Sequence, residues 1–177
     1  MLTDTHMFAS MKLLNKAFPQ LSVCQDPLLS QSTGFNPAEK EQFVQILHVG
    51  GNHWITVSWD GFEVTIYDSL SDSLHRRMKR RPNFALPSEV ELMVAQLVHP
   101  RSQGDEIPVV VPKVQQQTDG VSCGLFAVAS AVEAAMGSDL AQARYVKQMF
   151  HFHYQLTPMI TKNIFMSGVV PLIADGT

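Results

Sequence analysis

The sequence predicts an α+β fold in which a central, mostly antiparallel sheet is flanked by helices. Three observations carry this expectation. Residues 42–68 contain three consecutive runs rich in β-branched and aromatic residues, QFVQILHV, HWITVSW and FEVTIYD. Apolar residues at helical spacing lie on both sides of that block. Between the second and third runs, Trp59-Asp60-Gly61-Phe62 carries the Asp-Gly pair of a two-residue hairpin turn.

In chain order, Thr3 or Asp4 can cap a first helix whose Met7, Met11, Leu14 and Phe18 recur at three- and four-residue steps, and Pro19 stops it. From Ser22 to Lys40 the composition turns to Pro27, Ser30, Ser32, Gly34 and Pro37, which reads as an ordered loop because Leu28, Leu29 and Phe35 need somewhere to pack. The three strand-like runs follow. Helical periodicity returns at Ser88–Val98, a short apolar strand is expected at Ile107–Val111, and two helices are expected at Cys123–Met136 and Leu140–Tyr154. Gly137 stops the former of these two and Ser138 caps the latter.

The 177 residues suit a single domain spanning 1–177, and a domain of this size buries roughly 70% of the surface its unfolded chain exposes. Cys24 and Cys123 are the only cysteines and no CxxC pair is present, so neither a zinc site nor a disulfide framework is suggested. An intracellular, reducing setting in cytoplasm or nucleus is expected. The opening MLTDTHMFASMKLL does not read as a signal peptide, and no apolar run has the length of a membrane span. With 13 Lys+Arg against 16 Asp+Glu, the net charge of −3 argues against general nucleic-acid binding. The basic run from His75 to Arg81 reads as a solvated loop or helix face that could meet an acidic partner or serve as a nuclear address. His151 and His153 lie two apart on a predicted helix, not on one face, so they suggest no metal site.

The hairpin brings chemistry-bearing residues together. Pairing Trp59 with Phe62 sets Val57 against Val64, Ile55 against Ile66 and His53 against Asp68. The apolar residues then share one face, as a sheet with one buried side requires. Cβ atoms of a directly opposed pair lie about 5 Å apart, so Asp68 can fix the tautomer of His53, either as a structural ion pair or as the orienting acid of a base. Cys123 falls where QTDGVS gives way to LFAVASAVEAAM, in the first turn of a helix. There it is either a small core residue or a thiol whose ionised form the helix end favours. Gly124 lets backbone and substrate approach the sulfur. Gln117, six residues earlier, could join the Cys123 amide in holding an oxyanion, with Gln115 and Gln116 as rivals. Cys24 is read as a packing residue of the irregular loop.

His53-Trp54, Tyr67-Asp68-Ser69 and the stretch from Gln117 to Gly124, in that order, resemble the Ulp/SENP-type ubiquitin-like proteases, papain-like cysteine peptidases with the adenovirus protease as a more distant relative. The opening LTDTHM is similar to the family's first substrate-side helix, which places Asp4 among the substrate-binding residues. The resemblance implies a papain-like domain with Cys123 as nucleophile, His53 as base, Asp68 as orienting acid and Gln117 in the oxyanion hole. It further implies that Trp54 roofs a channel for a Gly-Gly tail, with Gly124 beside it. The implied partner is ubiquitin or a ubiquitin-like modifier of the SUMO class together with its conjugates, handled by a monomer without metal or cofactor. SUMO-directed relatives commonly carry Asp-Cys-Gly and a Trp-Leu-x-Asp opening. Here Ser122-Cys123-Gly124 and Met1 stand in those places, which leaves the modifier open. The alternatives are a YopJ-type acetyltransferase on the same scaffold and a catalytically idle modifier-binding module.

Overall fold

The computed structural model describes residues 2–22, 24–70, 86–98, 107–141, 143 and 145. Helix α1, Asp4–Ala17, begins where Thr3 adopts an extended conformation and forms a reciprocal cap with the His6 side chain. Met7, Met11 and Leu14 form its buried stripe, and the chain turns at Phe18 before Pro19. A short 3₁₀ helix, Pro27–Gln31, starts at Asp26, whose carboxylate accepts the Leu28 amide.

Strands β1 (Phe43–Val49), β2 (His53–Trp59) and β3 (Val64–Tyr67) form an antiparallel meander, and β4 (Val109–Val110) adds a parallel edge, giving the order β1-β2-β3-β4. A parallel pair needs a crossover, and the connection from β3 to β4 contains helix α2, Ser88–Val98. The expected strand at Ile107–Val111 shortens to two residues.

Phe43, Leu47, Ile55, Val57, Trp59, Val64 and Ile66 pack with Phe35 and with Val90, Met93, Val94 and Leu97 of α2. The opposite face is covered as well, contrary to the expectation of one buried side. Val44, Ile46 and Trp54 pack there against α1 and helix α3, Cys123–Ala135, which is buried on all sides from Cys123 to Glu133. Thr56 looks like a solvent-side residue in the sequence, yet it is fully buried, and its hydroxyl donates to the Ala127 carbonyl at 2.7 Å.

The hairpin register differs from the expected one. Trp59 pairs with Val64 and Val57 with Ile66, so the turn is a four-residue loop, Asp60–Glu63, rather than a two-residue one. Asp60 Oδ1 accepts the amides of Phe62 and Glu63, an Asx-type turn that absorbs both residues, while Gly61 takes φ +106°. Phe62 is left 82% exposed. The slip is two residues, so every side chain keeps its face.

Helix α3 ends in a Schellman motif: Gly137 at φ +73° donates to Ala134 O, and Ser138 N to Glu133 O. Beyond it, Asp139 rather than Ser138 accepts a turn amide, that of Ala141. Leu140, Ala141, Ala143 and Tyr145 are not helical, and the rest of the expected Leu140–Tyr154 helix lies outside the described residues. The basic run 75–81, His151 and His153 also lie outside them. Among the described residues no helix is long and apolar enough to cross a membrane.

Candidate active site

His53 is the first residue of β2 and Asp68 directly follows β3, so an antiparallel pair brings both to the same end of the sheet. With the observed register continued, Asp68 lies opposite Ile55 and is the diagonal neighbour of His53. Diagonal neighbours sit about 7–8 Å apart, within reach of an imidazole. His53 Nε2 and Asp68 Oδ1 are 2.8 Å apart. The carboxylate is itself held, since Asp68 Oδ1 accepts the Leu70 amide at 2.9 Å. Only 17% of the His53 side chain and 5% of that of Asp68 are exposed, so this ion pair is poorly screened by solvent.

Cys123 opens α3, and the turn before it is built by one carboxylate. Asp119 accepts the amides of Val121 and Ser122 and the Ser122 hydroxyl, each at 2.8 Å, and these bonds hold its carboxyl below the usual range. The Ser122 hydroxyl therefore does not cap the helix, and the sulfur lies beside first-turn amides. Cys123 Sγ lies 3.9 Å from the Asn52 carbonyl, in the turn that leads into β2.

The electrostatics of the pair run in opposite directions. Burial pushes the Cys123 thiol up, but the His53 ring, the backbone amides of Trp54 and Gly124, and the imidazolium charge together draw it below its ordinary value. Burial opposes a charge on His53, yet hydrogen bonds to Asp68 and Cys123, reinforced by the charges of both, raise it from 6.5 to about 9. Because Nε2 is engaged by Asp68, Nδ1 is the nitrogen left for the sulfur. The arrangement favours a thiolate–imidazolium pair over neutral thiol and imidazole.

Cys24 shows the contrast. Its Sγ donates to Val44 O at 2.8 Å, and burial pushes this thiol up to about 12. It is a structural cysteine, as its place in the irregular loop suggested.

Gln117 is brought beside this group by the segment that follows β3. Its amide N–H donates to Ser69 O at 2.8 Å, and its side chain joins Ser69 Oγ to the Asp119 carbonyl. Gln116 donates instead to the carbonyls of Asp68 and Val114, and Gln115 is hydrogen-bonded to the Tyr145 backbone. Trp54 is buried, its ring packed at a 42° tilt against His48 with centroids 4.4 Å apart, and its backbone amide helps to draw the Cys123 thiol down. The vacant side-chain direction of Gly124 faces Leu2 and Trp54: a Cβ built there would lie 3.1 Å from Leu2 Cβ and 3.4 Å from Trp54 Cδ1. The glycine thus serves a close approach between protein parts. Asp4 is exposed in the first turn of α1, two residues from Leu2 and hence within about 7 Å of it along the chain. Sequence reasoning did not single out Ser69 or Asp119 as organising residues, although both lie inside the motifs it used.

No family model matches the sequence, and no curated protein matches it. Solved structures do. The C-terminal Ulp1 protease domain in complex with Smt3, the yeast ortholog of SUMO, aligns over 92% of this chain and 77% of its own, with 14% identity and a TM-score of 0.66. The Xanthomonas campestris effector protein XopD bound to ubiquitin aligns over 91% and 90%, with 14% identity and a TM-score of 0.57. The Chaetomium thermophilum Ulp1-like SUMO protease catalytic domain aligns over 88% and 67%, with 15% identity and a TM-score of 0.50. The chain has the α+β fold of the Ulp1-type ubiquitin-like proteases, as the motif resemblance implied.

Proposed function

We propose, on that fold, that the protein is a cysteine protease or isopeptidase that cleaves after the C-terminal Gly-Gly of ubiquitin or a ubiquitin-like modifier. The observation that carries the reading is His53, held at 2.8 Å by Asp68, beside a helix-start thiol that the His53 ring helps to draw below its ordinary value. Nucleophile, base and orienter form a complete set. The solved structures of like fold include one in complex with Smt3 and one bound to ubiquitin, which supports the substrate class and leaves the choice of modifier open.

In this reading His53 Nδ1 takes the Cys123 proton, and the thiolate attacks the carbonyl of the terminal glycine. The oxyanion accepts hydrogen bonds from the Cys123 amide and the Gln117 side chain. The imidazolium protonates the departing lysine amine, and a water molecule, deprotonated by His53, hydrolyses the thioester. The exposed Asp4 end of α1 borders the approach of the Gly-Gly tail. A monomer suffices, and the reducing cytoplasm or nucleus, where such modifiers act, keeps the thiol competent.

The test is a panel of ubiquitin and ubiquitin-like modifiers, each ending in a thiol-reactive electrophile. One member should become covalently attached at Cys123, located by peptide mass spectrometry, and should fail to attach to Cys123→Ala. Failure of every member, with acetyl transfer from acetyl-coenzyme A to a protein lysine instead, would replace the reading with acyl transfer.

A further inference from the structure

An oxyanion donor must present an N–H, and an amide side chain can do so in only one of its two orientations. Two contacts decide the orientation of the Gln117 side-chain amide, and a third fixes its backbone. Its Nε2 lies 2.6 Å from the Asp119 carbonyl oxygen, which can only accept, so the group at that end is the NH2. The other end, Oε1, then lies 2.8 Å from Ser69 Oγ, and the serine hydroxyl must donate to it. The Ser69 carbonyl, in turn, accepts the Gln117 backbone N–H at 2.8 Å. Both residues are buried, so a flipped amide would set carbonyl against carbonyl without water to relieve it.

The hydrogen count then separates Gln117 from Gln116, and the hydrogen-bond partner separates it from Gln115. The Gln116 NH2 has acceptors for both hydrogens, the carbonyls of Asp68 and Val114. Gln115 is tied to Tyr145. The Gln117 NH2 donates one hydrogen to Asp119 and has no acceptor for the second among the described residues, and Asp119 is the residue whose carboxylate shapes the turn into Cys123.

We propose that Ser69 is a positioning residue for the reaction: its hydroxyl locks the Gln117 amide with the remaining N–H held for the oxyanion that forms when Cys123 attacks. The inference rests on the protease reading above and deepens it. It gives adjacent residues parallel tasks, with Asp68 orienting the base and Ser69 orienting the oxyanion donor from one strand exit.

The experiment compares Ser69→Ala, Ser69→Thr, Gln117→Ala and the Ser69→Ala/Gln117→Ala pair. The substrates are ubiquitin and SUMO bearing a C-terminal aminomethylcoumarin. Gln117→Ala should lower kcat by roughly 10²-fold. Ser69→Ala should lower it about tenfold, the scale of one lost hydrogen bond, with KM within about twofold, and Ser69→Thr should restore most of the loss. In the Gln117→Ala background, Ser69→Ala should change nothing further.

Alkylation of Cys123 by iodoacetamide is the control. The thiolate displaces iodide without forming an oxyanion, so its rate reports the sulfur and His53 alone and should be the same in Ser69→Ala as in the parent. Alkylation that falls in step with kcat would overturn the proposal, placing Ser69 in the support of Asp68 or the fold. Full kcat in Ser69→Ala, beside a Gln117→Ala that is impaired, would also overturn it and leave the protease reading intact. Unchanged kcat in Gln117→Ala would remove the oxyanion role and the proposal with it.

Discussion

Asp68→Asn isolates the charge in the His53–Asp68 pair. Asparagine keeps the shape and can still accept the His53 Nε2 hydrogen and the Leu70 amide, so the geometry around 2.8 Å survives while the negative charge does not. The rise of His53 from 6.5 to about 9 is the net result of burial pulling it down and of Asp68 and Cys123 pushing it up. At roughly 1.4 kcal/mol per pH unit that rise is worth about 3 kcal/mol. A charge-assisted hydrogen bond is about twice as strong as a neutral one, a difference on the order of 1–1.5 kcal/mol. His53 should therefore titrate about one pH unit lower in the variant, near 8.

The sign follows from the raised value. In the parent, His53 contributes stability that is fully present below its ordinary 6.5 and is lost as pH rises through about 9. In Asp68→Asn that loss, and the change in Cys123 alkylation rate that accompanies deprotonation of His53, should begin about one pH unit earlier. Activity near pH 7 should fall only a few-fold, because most of the imidazole is still charged there. Imidazole Cε1–H chemical shifts followed by NMR from pH 5 to 11, with iodoacetamide kinetics over the same range, measure both. A His53 titration that stays at about 9 in the variant would refute the assignment of the rise to the Asp68 charge.

Cys123→Ala should abolish turnover while leaving modifier affinity, measured by calorimetry, within a few-fold of the parent, and it should also lower the His53 titration because a charged partner is gone. Thr56→Val removes the 2.7 Å bond that ties β2 to α3 at Ala127, and urea unfolding should register a loss of about 1–2 kcal/mol. Asp60→Ala frees the Phe62 and Glu63 amides and should destabilise the hairpin by about 1 kcal/mol, with the fastest hydrogen exchange gained at Val64 and Thr65.

The pairing of His53 with Asp68 was legible because it depends on parity. The Asp-Gly pair suggested a two-residue turn, and nothing in local propensity reveals that the Asp60 carboxylate is committed to the next two amides. The resulting slip of two residues moved Asp68 from the opposed to the diagonal position without changing its face. A slip of one would have set the two side chains on opposite faces of the sheet. The helix at Cys123 was legible for a similar reason, since a polar turn met an unbroken apolar run.

Less was visible wherever a contact spans the chain. Thr56 reads as solvent-facing from alternation alone, and its burial becomes sensible only once Ala127, 71 residues away, supplies an acceptor. Ser69 and Gln117 are 48 residues apart, and no periodicity announces a hydroxyl that orients an amide. The Trp54 ring, expected as a roof, is instead sealed between His48 and the Leu2–Gly124 contact, a packing that depends on where α1 docks.

Leu2 meets Gly124 and Trp54 at the foot of the helix that carries the thiol. Any polypeptide joined ahead of Leu2 is consequently tethered near the helix start that carries the Cys123 thiol. A flexible affinity handle or fusion partner in that place is held there at an effective concentration on the order of millimolar, so one with affinity for the site would compete with a weak substrate. Cys123 reactivity is therefore best compared between a preparation that carries such a tether and one from which it has been severed.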